Sequence, residues 1–205
     1  MGRQVVTIDG FERIKLIGGA DCAYFKDLVI CCIVVLEYPT MEFVERTVHI
    51  GKASFPYIPG FFSFREGEGT IRAYQKISHK PDLLIINACG TTHPASAGFA
   101  SHIGVILDKP TIGITKRMFC GRAKIPQKEK EAQPLYHGGK QKGWLLKVLP
   151  ETKPIVITIG HLTSIKSCLE IAIKCLKENK MPEPLRLAHQ CAGKEKKKWG
   201  KSDGT

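Results

Sequence analysis

From Ile14 to Ala53 the chain strings together three apolar runs, IKLIGGADCAYF, LVICCIVVLEYP and FVERTVHIGKA, separated by short polar breaks at Lys26-Asp27 and Pro39-Thr40. Runs rich in β-branched residues and bounded by turn residues read as strands. Breaks this short join neighbours antiparallel, so the opening predicts a three-stranded meander. In FPYIPGFFSFREGEG, prolines and glycines then defeat strand periodicity, after which Ile71, Tyr74 and Ile77 recur at helical spacing. A loop delivers the chain into a helix, with Glu66 near its start.

After the breaker HKPD, the run LLIINACG is almost continuously apolar, as expected of a central strand covered on both faces. Ala95 to Leu107 is compatible with a helix, PTIGIT with a short strand, and GWLLKVL and KPIVITIG with a hairpin across PETKP. In TSIKSCLEIAIKCLKEN, Ile165, Leu169, Ala172, Ile173 and Leu176 fall on one face of an amphipathic helix that Thr163 or Ser164 can cap. MPEPLRLAHQCA predicts a last short helix, and GKEKKKWGKSDGT reads as a flexible lysine-rich tail. This order predicts a mixed α/β sheet with helices on both faces, compatible with a ribonuclease H-like architecture. Residues 1–192 are expected to form one domain and 193–205 the tail.

Charge adds a partner to this picture. Lys+Arg 31 against Asp+Glu 19 gives a formal net charge of +12, a field that concentrates polyanions, and nucleic acid leads among those. Solubilising lysines are the alternative on charge alone. The eight cysteines include no C-x-x-C, which argues against a zinc module. Free cytosolic thiols are expected, with Cys31, Cys32, Cys168 and Cys175 buried as small hydrophobes. No apolar run approaches the ~18 residues of a membrane span, so a cytoplasmic protein without a membrane partner, acting as a monomer, is the expectation.

Polar groups gather where the apolar runs end, and strand ends are where ligands bind in such sheets. Asp21 ends IKLIGGAD, and a carboxylate there needs a partner or a metal unless it is a turn or cap residue. Glu66 follows FFSFR and could serve either as a ligand or as a helix-start glutamate. Asn87 ends LLII. His93 follows it in the loop, Lys116 follows TIGIT, and His161 ends KPIVITIG before a helix. Each of these three can donate a proton, bind a phosphate or be a satisfied polar group.

Four longer motifs sharpen the reading. PYIPGFFSFRE at 56–66, the run from Pro81 through CGTTHPASAGFASHIGVILDKPTIGITK to Lys116, IGHLTSI at 159–165 and PEPLRLAH at 182–189 together resemble the endonuclease V family, in order, from about Gly18 to His189. The resemblance implies a ribonuclease H-like fold and a Mg²⁺-dependent endonuclease, with Mn²⁺ as substitute. Such an enzyme cuts DNA or RNA on the 3′ side of a deaminated base, chiefly inosine. Hard oxygen ligands suit such a cation, which activates water and neutralises charge on the phosphate. Asp21 in GGADCAY and Glu66 in SFRE match two metal-binding carboxylates of the family. At the third, the family's Asp-Gly-His-Gly corresponds here to Asn87-Ala88-Cys89-Gly90. Asp82 matches an acidic position at the far end of the same strand and cannot replace it.

By the same resemblance, Tyr57-Ile58-Pro59 matches a wedge inserted beside the lesion, where unstacking costs a few kcal/mol. Phe62, Ala88, Phe99 and Phe119 match positions lining the pocket for the flipped base, and Gly90 is expected among the nucleic-acid-binding residues. Ala88 replaces a glycine, and its methyl is expected to narrow that pocket. His93, Lys116 and His161 match positions expected to contact phosphate or water. The family usually carries a helix before the first strand, whereas MGRQVVTIDG does not look helical. Two further readings stay open: a nucleic-acid-binding module of the same fold that does not cut, and a protein whose altered pocket takes another small ligand or partner.

Overall fold

The computed structural model describes the chain through Ser202, apart from positions 54, 57 and 59–61 and the side chains of Phe62, Lys201 and Ser202. The early apolar runs form β1 (Leu16–Phe25), β2 (Leu28–Glu37) and β3 (Phe43–Lys52). The chain then forms α1 (Phe62–Gln75), β4 (Leu83–Ile86), α2 (Phe99–Leu107) and β5 (Thr111–Thr115). It closes with β6 (Ala132–His137), β7 (Lys140–Leu146), β8 (Ile155–His161), α3 (Ile165–Lys174) and α4 (Glu183–Ser202).

All the strands lie in one sheet of order β3-β2-β1-β4-β5-β8-β7-β6. The opening meander is antiparallel, β1, β4 and β5 run parallel, and β8 returns antiparallel to β5. Alternation along each strand divides the core between the two faces. Ile33, Val35, Leu84 and Ile86 pack with Ala73, Phe99 and Ile103 of α1 and α2. Cys32, Val34, Leu36, Leu83 and Ile85 pack with Ile171, Leu185 and Ala188 of α3 and α4. The mixed sheet with helices on both faces is therefore as the sequence predicts.

Four local features differ from the sequence pattern. β6 carries Pro134 and is followed by Gly138-Gly139, features that hide a strand. It is the edge strand, where a proline costs no ladder bond on its open side. α2 starts at Phe99 rather than Ala95, because residues 91–98 fold as turns and Gly98 N donates to Gly90 O at 2.9 Å. Residues 193–202, expected as a tail, continue α4, consistent with the good helix propensity of lysine. Cys32 is not a free thiol: it is disulfide-bonded to Cys191, whose Cα lies 6.2 Å away because α4 crosses β1 and β2. Cys31, Cys168 and Cys175 are free and buried, as expected.

The N-terminal segment is a strap rather than a helix beyond its first turn. Val6 N donates to His161 Nδ1 at 3.2 Å, Leu162 N to Val6 O and Gly10 N to Leu162 O. Asp9 accepts from Ser164 N at 2.6 Å and from the Ser167 hydroxyl at 2.7 Å. Ser164 is itself the cap of α3, accepting from Ser167 N. Among the described residues no helix is long and apolar enough to cross a membrane.

Candidate active site at the ends of the central strands

The parallel register of β1 and β4 places Ala20 beside Ile86, so Asp21 and Asn87 emerge side by side at the same edge of the sheet. Asp21 is buried, 8% exposed. Its Oδ1 accepts from the backbone N of Cys22 at 2.9 Å and from Asn87 Nδ2 at 2.8 Å. Its Oδ2 lies 2.6 Å from Nδ1 of His189. The carboxylate is thus held by its neighbour in sequence and by two groups far from it, Asn87 and His189.

His189 reaches Asp21 because α4 begins against β1. A Cβ on Gly19 would stand 2.1 Å from the carbonyl of Pro184, so a residue with a side chain there would lift the start of α4 off the sheet. The glycine of GGAD and the proline of PEPLRLAH thereby meet. His189 is the functional residue that the sequence analysis leaves unassigned, although it ends the quoted motif. Two signals pointed to it, its place in that motif and its position seven residues past Pro182 on a helix; neither says that the helix crosses β1.

Glu66 sits in the second turn of α1, half-buried, and accepts a hydrogen bond from the Tyr24 hydroxyl. Burial pushes its carboxyl up to about 7, against the hydrogen bond from Tyr24, and the charge of Asp21 pushes in the same direction as burial. Tyr24 is held protonated by burial and by Glu66, and Arg65 stacks over its ring at 4.8 Å. Asp21 and Glu66 are therefore close enough to feel each other in a partly dry setting, an arrangement that favours a bound cation. Among the described residues no cluster of three His, Cys, Asp or Glu side chains with metal-binding spacing occurs. The residues that could hold a hard divalent cation are the two carboxylates and the exposed amide of Asn87, each offering an oxygen donor.

Two cavities meet at Asn87. One, of about 280 Å³, is lined by Asp21, Asn87, Lys116, Lys180, Arg186 and His189 among others. The other, of about 160 Å³, is lined by Asn87, Ala88, Cys89, His93, Phe99 and Phe119 with Thr115 and Arg117. The first is ringed by cations and suits a phosphate; the second is walled by apolar and aromatic groups and suits a base. In the second, His93 stacks on Phe119 with ring centroids 5.7 Å apart and nearly parallel planes. Ala88 and Phe99 are buried in its wall, and Phe119 is half exposed.

Gly90 does not line either cavity. It packs beneath this loop, where a Cβ would fall 1.9 Å from the carbonyl oxygen of Ile159, and its N donates to Thr158 Oγ1 at 2.9 Å. Gly90 thus seats the loop on β8. Ile58 is exposed. Tyr57 and Pro59 lie outside the described residues, as does the side chain of Phe62.

His161 is not brought to the site. Its position at a strand end suggests the same edge as Asn87, but β8 runs antiparallel, and His161 pairs with Thr111 at the start of β5. Ile86 pairs with Gly113, so His161 is displaced by about three residues, roughly 10 Å, toward the opposite edge. There it is buried, anchors the N-terminal strap through Val6, and is kept neutral by burial. Asp82 also lies at that opposite edge, accepting from Lys15 N at 2.7 Å and Leu16 N at 3.0 Å, as its place at the far end of the strand predicts.

Comparison with known proteins agrees with this geometry. The Endonuclease V family profile matches residues 1–190. Endonuclease V of Dictyoglomus turgidum is 38% identical over 190 residues, covering 92% of this chain and 83% of that protein. The crystal structure of the endonuclease V of Bacillus subtilis superposes with a TM-score of 0.91 at 26% identity, covering 98% of this chain and 90% of that one. Endonuclease V of Ciona intestinalis, solved with a 24mer DNA containing an inosine followed by a ribo-adenosine, gives 0.84 at 26% identity over 96% and 93%. These structures share the ribonuclease H-like fold that the sheet order describes. With its profile matched over nearly the whole length and its central strands converging on Asp21 and Asn87, this chain belongs to the endonuclease V family.

Proposed function

We propose that the protein is a nuclease that hydrolyses a phosphodiester bond 3′ to a deaminated base, inosine first among them, in DNA or RNA. The observation that carries this reading is the shared wall at Asn87. A base held in the aromatic cavity leaves its backbone beside the cationic cavity that contains Asp21. Family membership, and the inosine-containing DNA bound by the Ciona relative, support the same substrate class.

Asp21 and Glu66 are the residues that would hold Mg²⁺, or Mn²⁺ in its place, with the amide oxygen of Asn87 as a neutral third donor. When bound, the cation would polarise the scissile phosphate and lower the pKa of a coordinated water. The chain's own residues do the positioning. His189 fixes the orientation of the Asp21 carboxylate through Nδ1. Lys116 lines the cavity at the end of β5, where its ammonium can pair with a phosphate oxygen. The His93–Phe119 stack offers a face for a base, while Ala88 and Phe99 close the pocket behind it. Ile58, with Tyr57 and Pro59 beside it in sequence, would hold the neighbouring bases apart.

A second reading has its own support: Asn87 contributes no charge and donates its amide nitrogen to Asp21, so the site has two acids where a cation would profit from three. On that reading the protein binds nucleic acid without cutting it. A nicking assay on an inosine oligonucleotide with Mg²⁺ or Mn²⁺ separates the two. The nuclease reading expects product from wild type and none from Glu66→Ala. Inosine-selective, salt-sensitive binding without product from either wild type or Asn87→Asp would support the binding module instead.

A further inference from the structure

α4 leaves the candidate site and carries positive charge away from it. Arg186 and His189 line the cationic cavity near the start of the helix. Beyond them Lys194, Lys196 and Lys197 are exposed, and none of the three forms an ion pair among the described residues, whereas Lys198 pairs with Glu195 at 2.7 Å. Helical geometry sets where these charges point. Lys196 stands seven residues after His189, on the same flank. Lys197 stands eleven after Arg186, on the same line, with the side-chain-free Gly193 between them. Lys194 lies about 80° round the helix from that line, on the flank away from His189, so the three lysines cover the solvent-facing half of α4. At 1.5 Å per residue the strip extends about 12 Å from His189 to Lys197.

The opposite side of α4 is committed to the core through Leu185, Ala188, Cys191 and Ala192. The disulfide from Cys191 to Cys32 fastens it to β2, so the lysine strip has a fixed direction relative to Asp21. Near its far end, a Cβ on Gly200 would touch the ring of Phe25 at 3.6 Å, where Lys26 also sits at 5.6 Å from the ring centroid. Basic residues therefore occur from Lys116 and Lys180 in the cavity, along the solvent side of α4, to Lys26 at the tip of the β1–β2 hairpin, while Arg186 is ion-paired with Glu183.

Resting on the nuclease reading above, we propose that the outer strip of α4 is a phosphate track. In it Lys194, Lys196 and Lys197 bind the backbone of the nucleic acid several nucleotides away from the base in the pocket. A track of this kind sets a minimum useful substrate length. It adds affinity without sequence preference, since phosphate contacts position the strand and do not read it.

The test is equilibrium binding of fluorescent inosine-containing single strands by the full chain, without divalent cation, across a salt series. One strand ends about two nucleotides on each side of inosine and the other extends about ten on each side. The expected result is that the triple variant Lys194→Ala, Lys196→Ala, Lys197→Ala binds the long strand about tenfold more weakly at 0.15 M salt. Its slope of log K against log salt should be lower by roughly 2, as expected for three lost contacts at about 0.7 each. Binding of the short strand stays unchanged, and the corresponding triple arginine variant retains wild-type slope and affinity. Equal losses on both strands, or no loss on the long one with unchanged helical circular dichroism, would overturn the track. The nuclease reading is tested separately, by whether wild type nicks the inosine-containing strand when Mg²⁺ or Mn²⁺ is added.

Discussion

The amide nitrogen of Asn87 donates to Oδ1 of Asp21 at 2.8 Å, so the polar residue that follows β4 is used to satisfy the buried acid of β1. This contact makes Asn87→Asp a variant with opposite effects in two conditions. Without a divalent cation, a second carboxylate facing Asp21 replaces a hydrogen bond by repulsion, and stability falls by about 1–3 kcal/mol. With Mg²⁺ present, the added charge strengthens cation binding, so the melting temperature recovers and cleavage rises at least tenfold. Thermal melts with chelator and with Mg²⁺, run beside a nicking assay, check both; a variant equally destabilised in both conditions would speak against a cation at this site.

Glu66 gives a pH signature. Burial raises its folded carboxyl from the usual 4.5 to about 7. A raised folded value means that the protonated form is favoured on folding. Its contribution is therefore fully present below about pH 4.5 and is lost as pH rises through about 7. Metal-free wild type should lose melting temperature between pH 5 and pH 8 relative to Glu66→Gln, which cannot ionise. Parallel melting curves of the two proteins over that window would refute the assignment.

His161→Ala separates structure from chemistry. Removing the ring leaves Val6 N without its acceptor and frees the N-terminal strap, at a cost of about 1–3 kcal/mol. Because β8 carries His161 to the edge away from Asp21, cleavage per folded molecule should stay within about twofold of wild type at a temperature well below the melt. A loss of a hundredfold there would mean that the strap reaches the site.

Ala88→Gly addresses the pocket. The Ala88 methyl is buried in the wall shared with Phe99 and Phe119, and its removal enlarges the cavity while loosening the backbone by roughly 0.5–1 kcal/mol. Inosine-containing strands should bind more tightly, with strands of ordinary bases unchanged. A titration of both strand types measures this directly, and an equal change for both would show that Ala88 does not face the base.

Much of the sheet was legible because its strands are long and apolar and their breaks are short, as at Lys26-Asp27. β6 was not, since Pro134 disqualifies a central strand and the sequence does not announce an edge. The far half of α4 was hidden by its lysines, which composition assigns to a tail and propensity to a helix. In the site, Asn87 could be read from a strand end, and Asp21 comes beside it because β1 and β4 are parallel, although Asp21 lies within β1 and not at its end; the strand-end rule misplaced His161 because the sense of β8 is set by pairing that no local pattern records. His189 and the Cys32–Cys191 bond share one cause of invisibility. Both depend on α4 lying across β1 and β2, a packing whose trace in sequence is a pair of glycines before Asp21 and a proline before Leu185.

The contact between Asp21 and His189 spans 168 positions and links the first strand to the last helix. Until translation has passed residue 189, the growing chain can form the meander and yet lacks the group that holds Oδ2 of its first acid. The face of β1 and β2 that Leu185, Ala188 and Ala192 later cover stays open until then. A premature stop between Glu66 and PEPLRLAH would thus yield a polypeptide with both acids, an unfinished cleft and an uncovered apolar face.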